Sequence, residues 1–287
     1  MVDSGGAGHF RGGLSAESCF IPHGTNSITH DTLSSGNAIP TSTGLMGGYP
    51  ATVNVYKFHK DSNIKTLMQT SQMPSDISEV GGREEVLALR QQNFLQNPSD
   101  VYSVLWTGGG GFGDPFERDP ELVRLDVVEN MAVSHEAAKE IYGVILDGER
   151  LDVRATEIYR KNLKKTRSTH PRTIDLPLRA LKGKLLREVT PSLAVRSDPE
   201  NKGHASKRWC CMSCATDLGP LSSNYKDACS TLTAPITAAN PHVGDYRRYI
   251  DDEPLFRQYF CPTCGSLIEN EVARVGDDSL RDIELKL

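Results

Sequence analysis

Cys211-Met212-Ser213-Cys214 and Cys261-Pro262-Thr263-Cys264-Gly265 are the two stretches whose reading decides the C-terminal fold of this chain. A C-x-x-C turn supplies two thiolates whose charge is stabilised by the backbone amides that follow, and two such turns complete a tetrahedron around a soft-ligand metal. Cys211, Cys214, Cys261 and Cys264 are therefore the expected ligands of one zinc ion. The same thiolates also suit iron, and zinc is chosen on ligand type and abundance. Four thiolates leave no position for water or substrate, so the expected metal is structural. A redox C-x-x-C would need no second pair downstream. Cys210 could replace Cys211 only across a less usual three-residue gap to Cys214, and Cys211 is preferred. Cys19 and Cys229 stand alone and read as small buried apolar residues.

Five of the seven cysteines lie in these two clusters instead of being spread as a disulfide framework, which fits reduced thiols. No apolar run approaches the ~18 residues of a membrane span, and the N-terminus has no signal-peptide pattern. A cytoplasmic protein with no membrane contact is expected. A formal net charge of −5 argues against a nucleic-acid surface, because neutralising phosphates needs clustered Lys and Arg in excess. The one basic run, 160–167, reads as a solvated helix face or a linker. Hydrophobic residues make up 38% of the 287 positions, below the ~45–50% usual for soluble domains, which implies a small core and a partner subunit.

The first fifty residues are rich in Gly, Ser and Thr, with short strands expected at 14–22 and 27–33. Residues 52–58 alternate apolar and polar side chains and read as a half-buried strand. The polar stretch that follows holds an expected helix at 84–95, and a strand at 101–106 runs into the glycines 108–113. Asp119 caps a helix with Pro120 at its first position, and Leu122, Leu125, Val128 and Met131 mark its inward side. A second helix starts at Ser134, with Ala137, Ile141 and Val144 on one face, before a short strand at 143–146. A third, 152–165, turns Ile158 and Leu163 to a neighbour. The expected division is an α+β domain at 1–166, a linker at 167–204 with four prolines, and a β-rich zinc-ribbon module at 205–287. A long loop carrying Pro220, Pro235, Pro241 and Pro254 is expected between the two cysteine pairs.

Glycines 108–113 sit between a strand and a helix, where backbone amides can cradle an anion. The spacing fits neither the P-loop nor the dinucleotide fingerprint, and Asp114 would repel a phosphate. A turn that lets chains pack closely is the preferred reading. The eight histidines include no H-x-x-x-H or H-E-x-x-H pair and read as surface or interface groups, with His9 beside Arg11 the best candidate for a contact. No catalytic or cofactor-binding residue follows from these patterns.

Two stretches resemble known families. Gly6-Ala-Gly-His-Phe-Arg-Gly-Gly13, Gly44-Leu-Met-Gly-Gly48 and Gly108-Gly-Gly-Gly-Phe-Gly-Asp-Pro-Phe-Glu-Arg-Asp-Pro120 are similar to the C-terminal part of hydantoinase B and 5-oxoprolinase subunits, over residues 4–165. Phe256-Arg-Gln-Tyr-Phe-Cys-Pro-Thr-Cys-Gly-Ser-Leu-Ile-Glu-Asn-Glu-Val272 is similar to the small zinc-containing subunit of acetone carboxylases. Together they imply a biotin-independent ketone carboxylase of the acetophenone carboxylase type. Its assembled complex would use ATP with Mg or Mn, bound by other subunits, to carboxylate a methyl ketone with bicarbonate. The resemblance further implies hydantoinase A-like and B-like partner subunits, one of them carrying the long N-terminal portion of a hydantoinase B subunit. Two other readings stay open: a subunit of an ATP-dependent hydantoinase or lactamase, and a zinc-ribbon scaffold outside catalysis.

Overall fold

Three glycine-rich stretches, 4–13, 43–48 and 108–113, run side by side as nearly bare backbone. The computed structural model describes residues 1–201 and 206–285; His204 and the expected boundary between 204 and 205 lie outside the described residues. The stretches are laced by backbone hydrogen bonds, among them Gly6 N–H to Gly109 O (2.9 Å), Tyr49 N–H to Ala7 O (2.7 Å) and Leu45 N–H to Gly111 O (3.0 Å). Their approach leaves no room for side chains: a Cβ on Gly12 would lie 1.8 Å from Gly109 O, and one on Gly48 2.0 Å from Gly111 O. Close packing of chains, the preferred reading of 108–113, is what these glycines permit.

Beside this lattice stand strands β1 (Glu17–Phe20), β2 (Ile28–Leu33), β3 (Val55–Lys60), β4 (Arg83–Val86), β5 (Arg90–Gln96) and β6 (Val101–Leu105). One antiparallel sheet has the order β1-β6-β3-β4, and β2 pairs with β5. Phe58, fully buried, packs with His30, Phe94 and Tyr102 between the two sheets, at ring separations of 5.0–6.4 Å. Residues 84–95, expected as a helix, form β4 and most of β5 instead. Their Glu, Leu and Ala content favours a helix locally, but β2 would then have no partner and the β3 edge would stay open. Cross-strand pairs Lys57–Glu84 (3.1 Å) and Lys60–Glu85 (3.2 Å) hold the observed pairing.

Helix α1 (Ile64–Gln69) is a short element with no counterpart in the sequence reading. Helix α2 (Pro120–Val128) is capped by Asp119, which accepts the Glu121 N–H at 2.9 Å. Its buried face is Val123, Asp126 and Val127, whereas Leu122 and Met131 are 46% and 70% exposed. Strict three-residue spacing drifts around a helix of 3.6 residues per turn, so the expected stripe turns away from the core. Ser134 caps helix α3 (His135–Glu140), and a two-residue hairpin, β7 (Leu146–Asp147) with β8 (Arg150–Leu151), leads to helix α4 (Val153–Arg167). Ile158, expected against a neighbour, is half exposed, and the buried groups of α4 are Thr156 and Arg167.

The stretch 167–204 contributes β9 (Leu185–Glu188) and β10 (Leu193–Ser197) to a sheet with β11 (Lys207–Cys211) and β12 (Asp217–Pro220), in the order β12-β11-β10-β9. Strands β13 (Ser230–Pro235), β14 (Pro254–Phe260) and β15 (Leu267–Arg274) form a three-stranded meander. The stretch between the cysteine pairs is therefore not a free loop: β13 pairs along β14, and Ile236, Ala239 and Val243 are buried. They join Ala7, Tyr49, Val53, Val123, Ala138, Tyr142, Phe256, Phe260 and Leu267 in one core, which spans the glycine-rich segment and the meander. A second core gathers Leu193, Val195, Trp209, Leu218, Tyr225, Tyr259 and Ile268 around the cysteines. The architecture is mixed α and β, and no helix among the described residues is long and apolar enough to cross a membrane.

Candidate metal centre

Each cysteine pair closes the end of a hairpin. The first knuckle joins β11 to β12 and the second joins β14 to β15, and the two are built alike. Ala215 and Gly265 N–H groups donate to Cys211 O and Cys261 O at 2.9 Å, while Cys211 N–H reaches Thr216 O at 3.0 Å and Cys261 N–H reaches Ser266 O at 2.9 Å. The closing residue is left-handed in both, with φ +59° at Ala215 and +70° at Gly265. Gly265 answers a second demand, because a Cβ there would lie 1.9 Å from Lys164 O at the end of α4.

The four Sγ atoms lie within 4.8 Å of one another, with Cys211–Cys264 at 3.6 Å and Cys214–Cys261 at 3.5 Å. Tetrahedral Zn–S bonds of ~2.3 Å place sulfurs about 3.8 Å apart, so the donor set fits such an ion. Thr216 and Ser266 hydroxyls sit 3.0 and 3.3 Å from Cys214 Sγ and Cys264 Sγ. They are outer-shell donors that the sequence reading missed, although the repeat Cys214-Ala-Thr216 and Cys264-Gly-Ser266 was visible. Cys211 shares its proton with its neighbours and stays protonated well above the usual thiol range. Separate hydrogen bonds with Cys211 pull Cys214 down to about 6 and Cys264 lower still. A divalent ion on four thiolates takes over the charge balance that these shared protons provide.

Strand alternation settles the place of Cys210. Trp209 and Cys211 face the second core, while Cys210 faces Leu181 and Ala194 on the opposite side. Burial pushes its thiol up to about 11. Cys229 is buried in the second core, as expected. Cys19 is exposed, contrary to its reading as a buried apolar residue: β1 is the edge strand of its sheet.

The glycine lattice is tied to the second knuckle through Asp114. Its carboxylate accepts Leu267 N–H (2.9 Å), Phe116 N–H (3.0 Å) and Arg167 Nη1 at 3.2 Å to each oxygen. The Arg167 guanidinium lies 3.5 Å from the Phe116 ring centre and 5.1 Å from that of Phe260. Farther along β15, Asn270 Nδ2 donates to Gly47 O (2.9 Å) and Gly48 O (3.0 Å). The amides of 109–113 are likewise spent internally: Gly109 on Gly13 O, Gly110 on Ser42 Oγ, Gly111 on Tyr49 O, Phe112 on Phe10 O and Gly113 on Leu45 O. This turn has no row of amides left to cradle an anion.

The histidines are dispersed. His9 stacks on Phe10 at 4.4 Å, His30 sits in the aromatic cluster, and His242 Nε2 meets Val2 O at 2.6 Å. His59, expected at a surface or interface, is buried on β3, and its Nε2 has no hydrogen-bond partner among the described residues.

Residues 1–115 match the hydantoinase B/oxoprolinase family, and residues 193–287 match the acetone carboxylase gamma subunit family. The acetone carboxylase alpha subunit of Xanthobacter autotrophicus is 30% identical over 187 residues, covering 58% of this chain and 24% of that protein. The acetophenone carboxylase delta subunit of Aromatoleum aromaticum is 28% identical over 155 residues, 50% of this chain and 22% of that protein. Caprolactamase subunit beta of Pseudomonas jessenii is 30% identical over 161 residues, 56% and 24%. The chain thus spans about a quarter of the length of these relatives. It joins a segment similar to hydantoinase B/oxoprolinase proteins to one similar to acetone carboxylase gamma subunits, as the motifs at 6–120 and 256–272 imply.

Proposed function

We propose that this chain is a subunit of a biotin-independent, ATP-dependent ketone carboxylase complex of the acetophenone carboxylase kind, working beside hydantoinase A-like and B-like polypeptides. One observation carries the reading: a hydantoinase B-like segment and an acetone carboxylase gamma-like segment occur in one chain and pack on a shared core. In the proposed reaction one ATP phosphorylates bicarbonate and another the ketone enol; carboxyphosphate releases CO2 and inorganic phosphate, water cleaves the enol O–P bond to give inorganic phosphate and the enolate, and the enolate carbon bonds to CO2. Carboxyphosphate hydrolyses readily in water, so subunits that seal the site have a physical purpose. ATP and its Mg or Mn ion belong to the partners in this scheme.

Zinc, when bound by Cys211, Cys214, Cys261 and Cys264, supplies a fixed tetrahedral cross-link between two hairpins and has no open position for substrate. Thr216 and Ser266 hold the thiolates by hydrogen bonds, and Asp114 and Arg167 transmit the position of the second knuckle to the glycine lattice. Purification of the chain from its native cell extract under mild conditions, with metal analysis, tests the reading. Zinc near one per chain, large hydantoinase-type partners, and ATP-dependent fixation of labelled bicarbonate into a ketone are expected. A complex that hydrolyses ATP with an amide or lactam substrate and consumes no bicarbonate would instead support the lactamase reading, which the caprolactamase similarity favours.

A further inference from the structure

A cavity of about 400 Å³ lies away from the metal centre, between the β1–β6 end of its sheet and the segment 64–80. Glu17 and Cys19, two residues apart on β1, share one face of the strand, and Val101 of β6 joins them in the lining. From the other side come Ile64 and Met68 of α1, then Met73, Asp76 and Ile77 from the turn that follows. Ile64, Ile77, Val80 and Val101 pack together as a small core of their own, which fixes the walls. Met68 and Met73 are 37% and 81% exposed, so two flexible thioethers can adjust to an occupant. The volume lies in the ~300–1,000 Å³ range of small-molecule sites.

Charge narrows what fits. The two carboxylates in the lining are Glu17, which accepts the Ser103 hydroxyl, and Asp76, which caps the turn by accepting Ser78 N–H at 2.8 Å. Among the described residues neither enters an ion pair, and no Lys or Arg lines the cavity. Lys57, on the same sheet face, is held by Glu84 at 3.1 Å, and Lys65 of α1 lines the neighbouring hollow beside His23. Partial burial and then the charges of Glu17 and Asp76 hold the Cys19 thiol above its usual range, so it stays neutral and is a poor nucleophile. Glu17, Cys19 and Asp76 do not gather within 4.8 Å as ligands of one metal ion would, whereas the four knuckle cysteines do. The remaining complement is one positive charge on an apolar body, with the charge toward the carboxylates and the body against Ile64, Met68, Met73 and Ile77.

We infer that this cavity binds a small organic ammonium ion with an aliphatic chain, the chain lying against Ile64, Met68, Met73 and Ile77 and the ammonium at the carboxylates of Glu17 and Asp76. The inference uses neither the metal centre nor the carboxylase reading, so it stands or fails apart from both. Its test is calorimetric titration of the zinc-loaded full chain, near neutral pH, with hexylamine, 1-hexanol and hexanoate, which share a chain and differ in head-group charge. The amine, protonated at that pH, should saturate with a Kd of about 1 mM or tighter, and the other two should bind at least about tenfold more weakly. The double variant Glu17→Gln with Asp76→Asn keeps both hydrogen-bond acceptors. It should weaken hexylammonium about tenfold and leave 1-hexanol unchanged. Cys19, the one exposed cysteine of the seven, gives a second readout. Saturating hexylammonium should slow its alkylation by N-ethylmaleimide, followed by mass spectrometry. No saturation by hexylammonium, equal affinity for 1-hexanol or hexanoate, wild-type affinity in the double variant, or unchanged Cys19 alkylation at saturation would each overturn it.

Discussion

Adjacent strand residues point to opposite faces, so Cys210 and Cys211 have different fates despite identical chemistry. Cys211→Ser should lower zinc from about one per chain to near none and destabilise the C-terminal module, while Cys210→Ala keeps the metal; metal analysis of purified variants distinguishes them. Glycine positions separate just as sharply. A Cβ at Gly48 would strike Gly111 O, whereas one at Gly13 meets nothing within 4 Å. Gly48→Ala should cost about 3 kcal/mol or more and Gly13→Ala less than about 0.5 kcal/mol, read from chemical denaturation. Asp198 provides a pH marker. The hydrogen bond from Arg179 is the largest influence on its carboxyl, which is held down to about 2. Its folded value lies below the unfolded value of about 3.9, so the contribution is complete above about pH 4 and is lost as pH falls toward 2. Denaturation measured between pH 5 and 2 should show this loss in the wild type and a flatter profile in Asp198→Asn.

At the scale of elements, α4 and the β14–β15 hairpin are coupled through one buried ion pair. Arg167 lies over the Phe116 ring, and its Nη1 meets both oxygens of Asp114, whose side chain is 1% exposed. Arg167→Ala should lose about 3–5 kcal/mol, because it strands a buried carboxylate. Arg167→Lys should recover only part of that, since an ammonium restores a charge beside Asp114 but has no planar group to lie over Phe116; thermal unfolding of the two variants checks the order. The starts of three helices were legible because their signals are local: Asp119 caps as expected, and Ser134 and Asp152, read as the first residues of their helices, accept the capping hydrogen bonds. Strands β4 and β5 were not, because the groups that pull residues 84–95 into strands lie on β2 and β3, distant in sequence.

Across the whole molecule, the shared core makes the metal module and the glycine lattice parts of one body. Removing the metal with a chelator should therefore speed amide exchange beyond the knuckles, at Leu45–Tyr49 and Gly111–Phe116, where Asn270 and the Leu267 amide reach the lattice. The β2–β5 pair, packed on Phe58 away from the knuckles, should keep its protection. Hydrogen exchange followed by mass spectrometry on the metal-loaded and stripped chain measures both. Exchange confined to the C-terminal module would show that the two parts hold their shape independently.

The sequence by itself pointed to two C-x-x-C turns that could share one metal, because C-x-x-C spacing is set by one turn and needs nothing distant to be recognised. It also gave the Asp119 cap and the close packing expected of glycines 108–113, which are again short-range properties of the backbone. Only the tertiary structure decided which of two neighbouring cysteines meets the cluster, what residues 84–95 become, and that residues 185–197 pair with the metal-bearing sheet. It alone brings Asp114 within hydrogen-bond reach of Leu267, 153 positions away. Such outcomes depend on which surfaces bury one another. That is a property of the folded whole, and no window of local sequence contains it.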